Sequence, residues 1–216
     1  MREPRSPDSG RGDILGVMAN SHPTVIVLAG PNGSGKTTAA PKLLRDVLGV
    51  VEFVNADTIA QGLAAFGPEL VALEAGAILL SRLRQLAVRR RNFAFETTLA
   101  GRSLAPWLVR LIDDGYEFHL VFLWLPSPEM AVARVADRVR MGGHHVPEET
   151  IRRRYRAGLR NFFRLYMPLA TKWRVYDNSN VEMQLIAEGE GTTVTRISGP
   201  DKWQELLREG AYDQQN

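Results

Sequence analysis

Gly30-Pro31-Asn32-Gly33-Ser34-Gly35-Lys36-Thr37-Thr38 satisfies the pattern G-x-x-x-x-G-K-[ST] at every position and follows the apolar run Val25-Ile26-Val27-Leu28-Ala29. The run reads as a buried strand and the residues after the loop as a helix, the setting in which this pattern cradles phosphates. Glycines at 30, 33 and 35 allow backbone angles that side chains forbid, so successive N–H groups can converge on phosphate oxygens at a helix N-terminus. Gly30, Asn32, Gly33, Ser34, Gly35, Lys36, Thr37 and Thr38 are therefore the expected nucleotide-binding residues. Lys36 supplies charge for the β- and γ-phosphates and Thr37 a hydroxyl for Mg²⁺, so ATP or GTP with Mg²⁺ is the expected cofactor set. The chemistry stays open at this point, because kinases, GTPases, motor ATPases and transporters share the loop.

Composition narrows the field. A chain of 216 residues is long enough for one sizeable core. The absence of cysteine excludes disulfides, thiolate metal sites and cysteine catalysis. A net charge of +3 is too small to argue for nucleic acid by itself, although only Lys36, Lys42, Lys172 and Lys202 of the 27 basic residues are lysines. Arginine dominance fits either base composition or a demand for forked donors that grip phosphates. No apolar run approaches the roughly 18 residues a membrane span requires, and a cytoplasmic location is expected. Residues 1–22 lack an apolar signal region and read as a disordered tail, leaving 23–216 as a single domain.

Polar residues follow each later strand. Val50-Val51-Glu52-Phe53-Val54 runs into Asn55-Ala56-Asp57. In an open α/β sheet, ligands bind beyond the carboxyl ends of strands, which puts Asp57 where a substrate hydroxyl meets the γ-phosphate. A carboxylate there takes the hydroxyl proton; the alternative is an N-cap for a helix from Thr58. Residues 69–89 follow a helical pattern with an arginine-rich outer side and carry Glu74. Asn92-Phe93-Ala94-Phe95 leads to Glu96-Thr97-Thr98, with Glu96 a candidate for Mg²⁺ through water or for a substrate hydroxyl, Thr97 a hydroxyl donor beside it, and capping of a helix Ala105–Asp114 the alternative. Glu117–Leu125 is a fourth strand, with His119 near its start and remote from the polar strand ends. Trp173–Tyr176 is a fifth, ending in Asp177-Asn178-Ser179, where Asn178 either touches the base or builds a turn. A hairpin and a terminal helix close the chain over about 181–210.

Between the fourth and fifth strands, residues 128–166 read as a lid. A helix Pro128–Arg140 and a second from Glu148 flank the hinge Met141-Gly142-Gly143-His144-His145-Val146-Pro147. Arginines on two hinged helices suit closure over a triphosphate and neutralisation of the transferring phosphoryl group. A nucleic-acid surface is the rival reading, because arginines and aromatics interleave over 152–166; helical core spacing of the aromatics makes nucleic acid the weaker choice. The fold class predicted is α/β, a three-layer P-loop NTPase fold with a mainly parallel five-stranded sheet and an arginine-bearing helical lid.

Taken in order, the phosphate loop, Asn55-Ala56-Asp57, Glu96-Thr97-Thr98, the Gly142-Gly143-His144 hinge with Val146-Pro147, Ile151, Arg153 and Tyr155, and Asp177-Asn178-Ser179 resemble the zeta-toxin family of P-loop kinases, in its zeta-like branch. The resemblance covers about residues 24–190 and implies ATP-dependent transfer of a γ-phosphoryl group to a small-molecule hydroxyl, with UDP-N-acetylglucosamine or a related sugar nucleotide as the family's substrate. It implies Asp57 as general base, Lys36 and Thr37 on phosphate and metal, and Glu74, Glu96 and Thr97 with Asp57 on the substrate side. Arg138 and Arg153 become the paired lid arginines, with Arg140 and Arg152 as alternates. An antitoxin protein is the macromolecular partner that accompanies such toxins. A nucleotide-dependent RNA-binding or regulatory NTPase is the alternative.

Overall fold

The computed structural model describes residues 22–47, 52–64 and 71–211. The expected N-terminal tail therefore lies outside the described residues, save His22, and so do Val50 and Val51 of the expected second strand. Seven strands form one sheet: β1 (Thr24–Ala29), β2 (Phe53–Val54), β3 (Phe93–Thr97), β4 (Glu117–Trp124), β5 (Lys172–Asp177), β6 (Gln184–Glu190) and β7 (Thr193–Ile197). Their order is β2-β3-β1-β4-β5-β6-β7. The first five run parallel, and β6 and β7 add antiparallel.

The expected five-stranded, mainly parallel sheet is thus corrected to a mixed sheet of seven. The five apolar runs supply the parallel part. The C-terminal hairpin does not fold aside; it pairs with the outer edge of β5, from Trp173 opposite Gly189 to Asp177 opposite Gln184. An unpaired β5 would otherwise leave a row of backbone donors and acceptors open, and β6 buries Ile186, Ala187 and Gly189 when it closes that row.

Side-chain alternation on the strands divides the core in two. Val25, Val27 and Ala29 of β1 point to one face, where α3 (Ala72–Val88), α4 (Ala105–Asp113), α6 (Glu148–Asn161) and α7 (Pro200–Ala211) cover them. Ile26 and Leu28 point to the other, packing against Ala40, Leu43 and Leu44. Those three lie on α1 (Lys36–Ala40) and its π-helical continuation Pro41–Val47. Burial on both sides is why β1 reads as an unbroken apolar run.

The lid has its own small core of Leu125, Ala131, Val135, Val146, Ile151 and Tyr155. Its first helix, α5 (Pro128–Arg140), starts where Ser127 accepts a hydrogen bond from the Met130 amide at 3.1 Å, with Pro128 in the first turn. The second, α6, runs from the expected Glu148 to Asn161 and continues as a π-helical turn, Phe162–Tyr166.

Tyr155 anchors the base of α6. Its hydroxyl donates to the Leu125 carbonyl at 2.7 Å and lies 2.9 Å from Glu209 Oε2, which also accepts from Trp124 Nε1 at 3.3 Å. Tyr155 has one phenolic proton for two acceptors, the Leu125 carbonyl and Glu209 Oε2. Burial, and then the neighbouring Glu205 and Glu129, push the Glu209 carboxyl up from its ordinary 4.5. A carboxyl with a raised pKa in the folded state stabilises fully below 4.5, and that contribution is lost as the pH climbs through the raised value. Glu209→Gln, which puts a neutral amide in place of the half-buried carboxyl, is expected to match or exceed the wild-type melting temperature at pH 7 and to lose that advantage below about pH 4.5, read by thermal melts across pH.

Candidate active site

The loop between β1 and α1 turns through positions that only glycine fits. Gly30 has φ +140°, and a Cβ there would stand 2.3 Å from the Leu123 carbonyl oxygen. Gly35 has φ +81° in the left-handed region, and its Cβ would fall 2.6 Å from Asn178 Nδ2. Asn178, expected either at the base or in a turn, holds the loop through its Nδ2, which donates to the Ser34 carbonyl at 2.7 Å. Arg134 on α5 clamps the same post-β5 turn, donating to the carbonyls of Asn178 at 2.7 Å and Ser179 at 2.6 Å. Buried Asp177 closes the turn by accepting from the Ser179 amide at 2.8 Å and from Lys202 on α7.

Inside this frame Lys36 is almost fully buried, and its Nζ donates to the carbonyls of Gly30 and Pro31, both at 2.9 Å. Desolvation lowers its pKa to about 8, although the charges of Glu96 and Asp57 act to raise it, while Arg138 and Arg154 lower it further. Asn32 Oδ1 and Ser34 Oγ are buried in the loop without hydrogen-bond partners among the described residues, which fits a site shaped for a polar ligand. Thr37 Oγ1 donates to Glu96, 3.1 Å from Oε2 and 3.4 Å from Oε1. A hydroxyl and a carboxylate side by side are the oxygen donors that Mg²⁺ prefers, so Thr37 and Glu96 fit that ion. Burial raises the Glu96 pKa, and Lys36, Thr37 and Asn55 pull it back.

Both capping alternatives from the sequence are removed. Asn55, not Asp57, caps α2 (Ala56–Leu63), its side chain accepting from the amides of Asp57 at 2.7 Å and Thr58 at 3.1 Å. Asp57 is left exposed in the first turn, close enough for its charge to act on Lys36 and Glu96. Helix α4 has no side-chain cap, and Glu96 turns to Thr37 instead. Thr97 Oγ1 accepts from the Leu99 amide at 3.1 Å. Thr38 and Glu74 are exposed, the latter in the first turn of α3.

Of the lid arginines, Arg138 donates from Nη2 to the His144 carbonyl at 2.8 Å in the hinge, and its charge reaches Lys36. On α6 the arginine whose charge reaches Lys36 is Arg154. Arg153 is exposed, and the two alternates are engaged elsewhere, Arg152 with Glu129 and Glu148 and Arg140 with Asp137. Sequence reasoning missed Arg154, Arg134 and Asn55. Asn55 was detectable, since asparagine two residues before a helical aspartate is a common cap.

A glycine-rich loop with a buried lysine between a parallel strand and a helix, flanked by strand-end carboxylates, defines a P-loop nucleotide-binding protein. The chain belongs to a family described as an AAA domain, whose profile matches residues 25–161. An uncharacterized Haemophilus influenzae protein is 29% identical over 141 residues, covering 65% of this chain and 96% of that one. Among solved structures, the AvrRxo1-ORF1:ORF2 complex with ATP superposes with a TM-score of 0.66 at 17% identity, over 86% of this chain and 63% of that one. The chain thus spans less than two thirds of that protein. The PezAT toxin–antitoxin system of Streptococcus pneumoniae gives a TM-score of 0.62 at 16% identity, over 93% and 83% of the two chains. An RNA repair complex of Pnkp1, Rnl and Hen1 gives 0.52 at 22% identity, over 64% and 45%. These likenesses establish a P-loop kinase-like fold.

Lys36 carries its charge below a pH of about 8 and is neutral above it. Binding a polyanion to the neutral form requires prior uptake of a proton. ATP affinity is therefore expected to fall above pH 8 by up to about tenfold per pH unit, measured with a fluorescent ATP analogue, and Lys36→Met is expected to bind weakly at every pH without that slope.

Proposed function

We propose that the protein is an ATP-dependent small-molecule kinase that transfers a γ-phosphoryl group to a hydroxyl, its acceptor a sugar nucleotide of the UDP-N-acetylglucosamine type. The observation that carries this reading is the convergence on Lys36 of four charged groups from four elements: Asp57 from α2, Glu96 from β3, Arg138 from α5 and Arg154 from α6. A bare phosphate-binding switch has no need of two acceptor-side carboxylates. In the reaction the acceptor oxygen bonds to the γ-phosphorus, its proton passes to Asp57, and ADP leaves with the bond to the β–γ bridging oxygen broken. Lys36 and the loop amides orient the phosphates, while Arg138 and Arg154 offset charge on the moving group. Mg²⁺, held by Thr37 with Glu96 beside it, would add charge neutralisation.

ATP as donor is supported by the AvrRxo1 complex that carries it, and an antitoxin protein as partner by the PezAT system. Glu74 and Thr97 complete the acceptor side in this reading, with Thr38 and Asn178 on the nucleotide side and a cytoplasmic location. Arg154 takes the role that the resemblance placed on Arg153. ADP release with UDP-sugars and other small hydroxyl compounds tests the proposal. Asp57→Asn is expected to lower acceptor-dependent turnover by about a hundredfold or more with ATP affinity unchanged. Acceptor-dependent turnover insensitive to that change removes Asp57 as the base.

One observation favours a second reading. Arg153, Arg156 and Arg164 lie on the solvent side of α6 and its continuation, exposed and without an ion pair among the described residues. A surface of this kind suits a nucleic-acid backbone, whose binding weakens steeply with salt. If it serves RNA, Arg156→Glu with Arg164→Glu is expected to abolish RNA retention at low salt; no retention by the wild type at low salt excludes it.

A further inference from the structure

The turn after β3 presents four successive backbone carbonyls to α6 and its π-helical end. Asn161 Nδ2 donates to the Leu99 carbonyl at 2.8 Å and the Ala100 carbonyl at 3.2 Å, and the Tyr166 hydroxyl donates to the Gly101 carbonyl at 2.6 Å. The Thr98 carbonyl comes so close to Gly158 that a Cβ there would lie 2.3 Å from its oxygen. Asn161 is 2% exposed, so its amide is committed to this turn rather than to solvent.

The turn itself is under constraint. Leu99 is fully buried at φ +56°, a left-handed conformation unusual for a bulky side chain. Its amide donates to Thr97 Oγ1 at 3.1 Å, and the Ala100 amide donates to Thr98 Oγ1 at 3.4 Å. Such a conformation persists only where the surroundings over-determine it. Helix α6 is part of those surroundings, through Gly158 and Asn161. The turn begins at Thr97, the residue after Glu96, so the brace on its carbonyls bears on the acceptor-side carboxylate.

The same helix carries Arg154. Residues 154, 158 and 161 stand at i, i+4 and i+7 and so share one edge of α6, with Arg154 and Asn161 about 10 Å apart along its axis. One edge of one helix therefore carries the Arg154 charge that acts on Lys36 and, through Gly158 and Asn161, packs on the turn after β3. We infer that Asn161 is a positioning residue that couples the lid arginine to Glu96: a movement of α6 that sets Arg154 on the phosphates also sets the Thr97–Gly101 turn and the carboxylate at its root. This rests on the kinase reading above for its catalytic consequence, but its mechanical part requires only that nucleotide binds.

Two measurements on the full chain test it. The first is hydrogen exchange of the Leu99 and Ala100 amides with and without a saturating non-hydrolysable ATP analogue with Mg²⁺. Wild-type exchange is expected to slow about fivefold or more on binding, and Arg154→Ala and Asn161→Leu are each expected to abolish that response while still binding the analogue. An unchanged response in Asn161→Leu, or none in the wild type at saturation, overturns the inference. The second is a double-mutant cycle on ADP release. Asn161→Leu is expected to lower kcat about tenfold or more with the ATP Kd within twofold, and Glu96→Gln is expected to add less than about threefold in that background. Losses that multiply, or a kcat that falls in step with affinity, reduce Asn161 to a structural role. Absence of acceptor-dependent turnover in the wild type, with the exchange response intact, counts against the kinase reading and leaves the coupling standing.

Discussion

Every residue of β1 is withdrawn from solvent, and the strand lies between β3 and β4 with all three parallel. Parallel pairing sends the carboxyl ends of neighbouring strands to the same edge of the sheet. In register, Ala29 stands beside Thr97 on one side and Phe122 on the other, and Val54 of β2 stands beside Phe95. The phosphate loop, Asn55 and Glu96 thus meet because of backbone register, before any side chain chooses a partner. A slip of one residue would turn Glu96 to the opposite face and break the contact with Thr37.

Within that edge the electrostatics are balanced around a buried cation. Lys36 has left water, which disfavours its charge, yet Glu96 and Asp57 favour it and two backbone carbonyls accept its protons. Glu96 shows the mirror image, its charge disfavoured by burial and sustained by Lys36. A polyanion entering this cluster joins charges already held in place, and fixed groups of this kind lose little in reorganisation when charge moves.

Much of this was legible in the sequence because the signals were local. Five apolar runs bounded by polar residues marked the five parallel strands, and α5 begins and ends where Pro128 and Arg140 were expected. What escaped was decided by packing at a distance. Arg152, Arg153 and Arg154 are consecutive, so each points about 100° from the next, and nothing local says which faces the site. Burial of Ile151, Tyr155 and Leu159 sets the rotation of α6, and that rotation selects Arg154. The hairpin was readable as a hairpin, but its docking on β5 depends on a register with a bulge between Val175 and Tyr176 that no turn signal announces. The left-handed Leu99 was invisible for the same reason, since its constraint comes from a helix some sixty residues later.

The hairpin that widens the sheet also moves its boundary. With β6 paired on both sides, the outermost strand becomes β7, Thr193–Ile197, a β-prone stretch whose five residues are all exposed. Among them Arg196 is the single charge, drawn toward Glu188 of β6 at 3.7 Å. Edge strands without proline or several charges invite further strands to join them, and a charge such as Arg196 is the kind of residue that opposes this. The seam that closes β5 has therefore moved the end of the sheet to a strand four places from β1, whose one charge is Arg196.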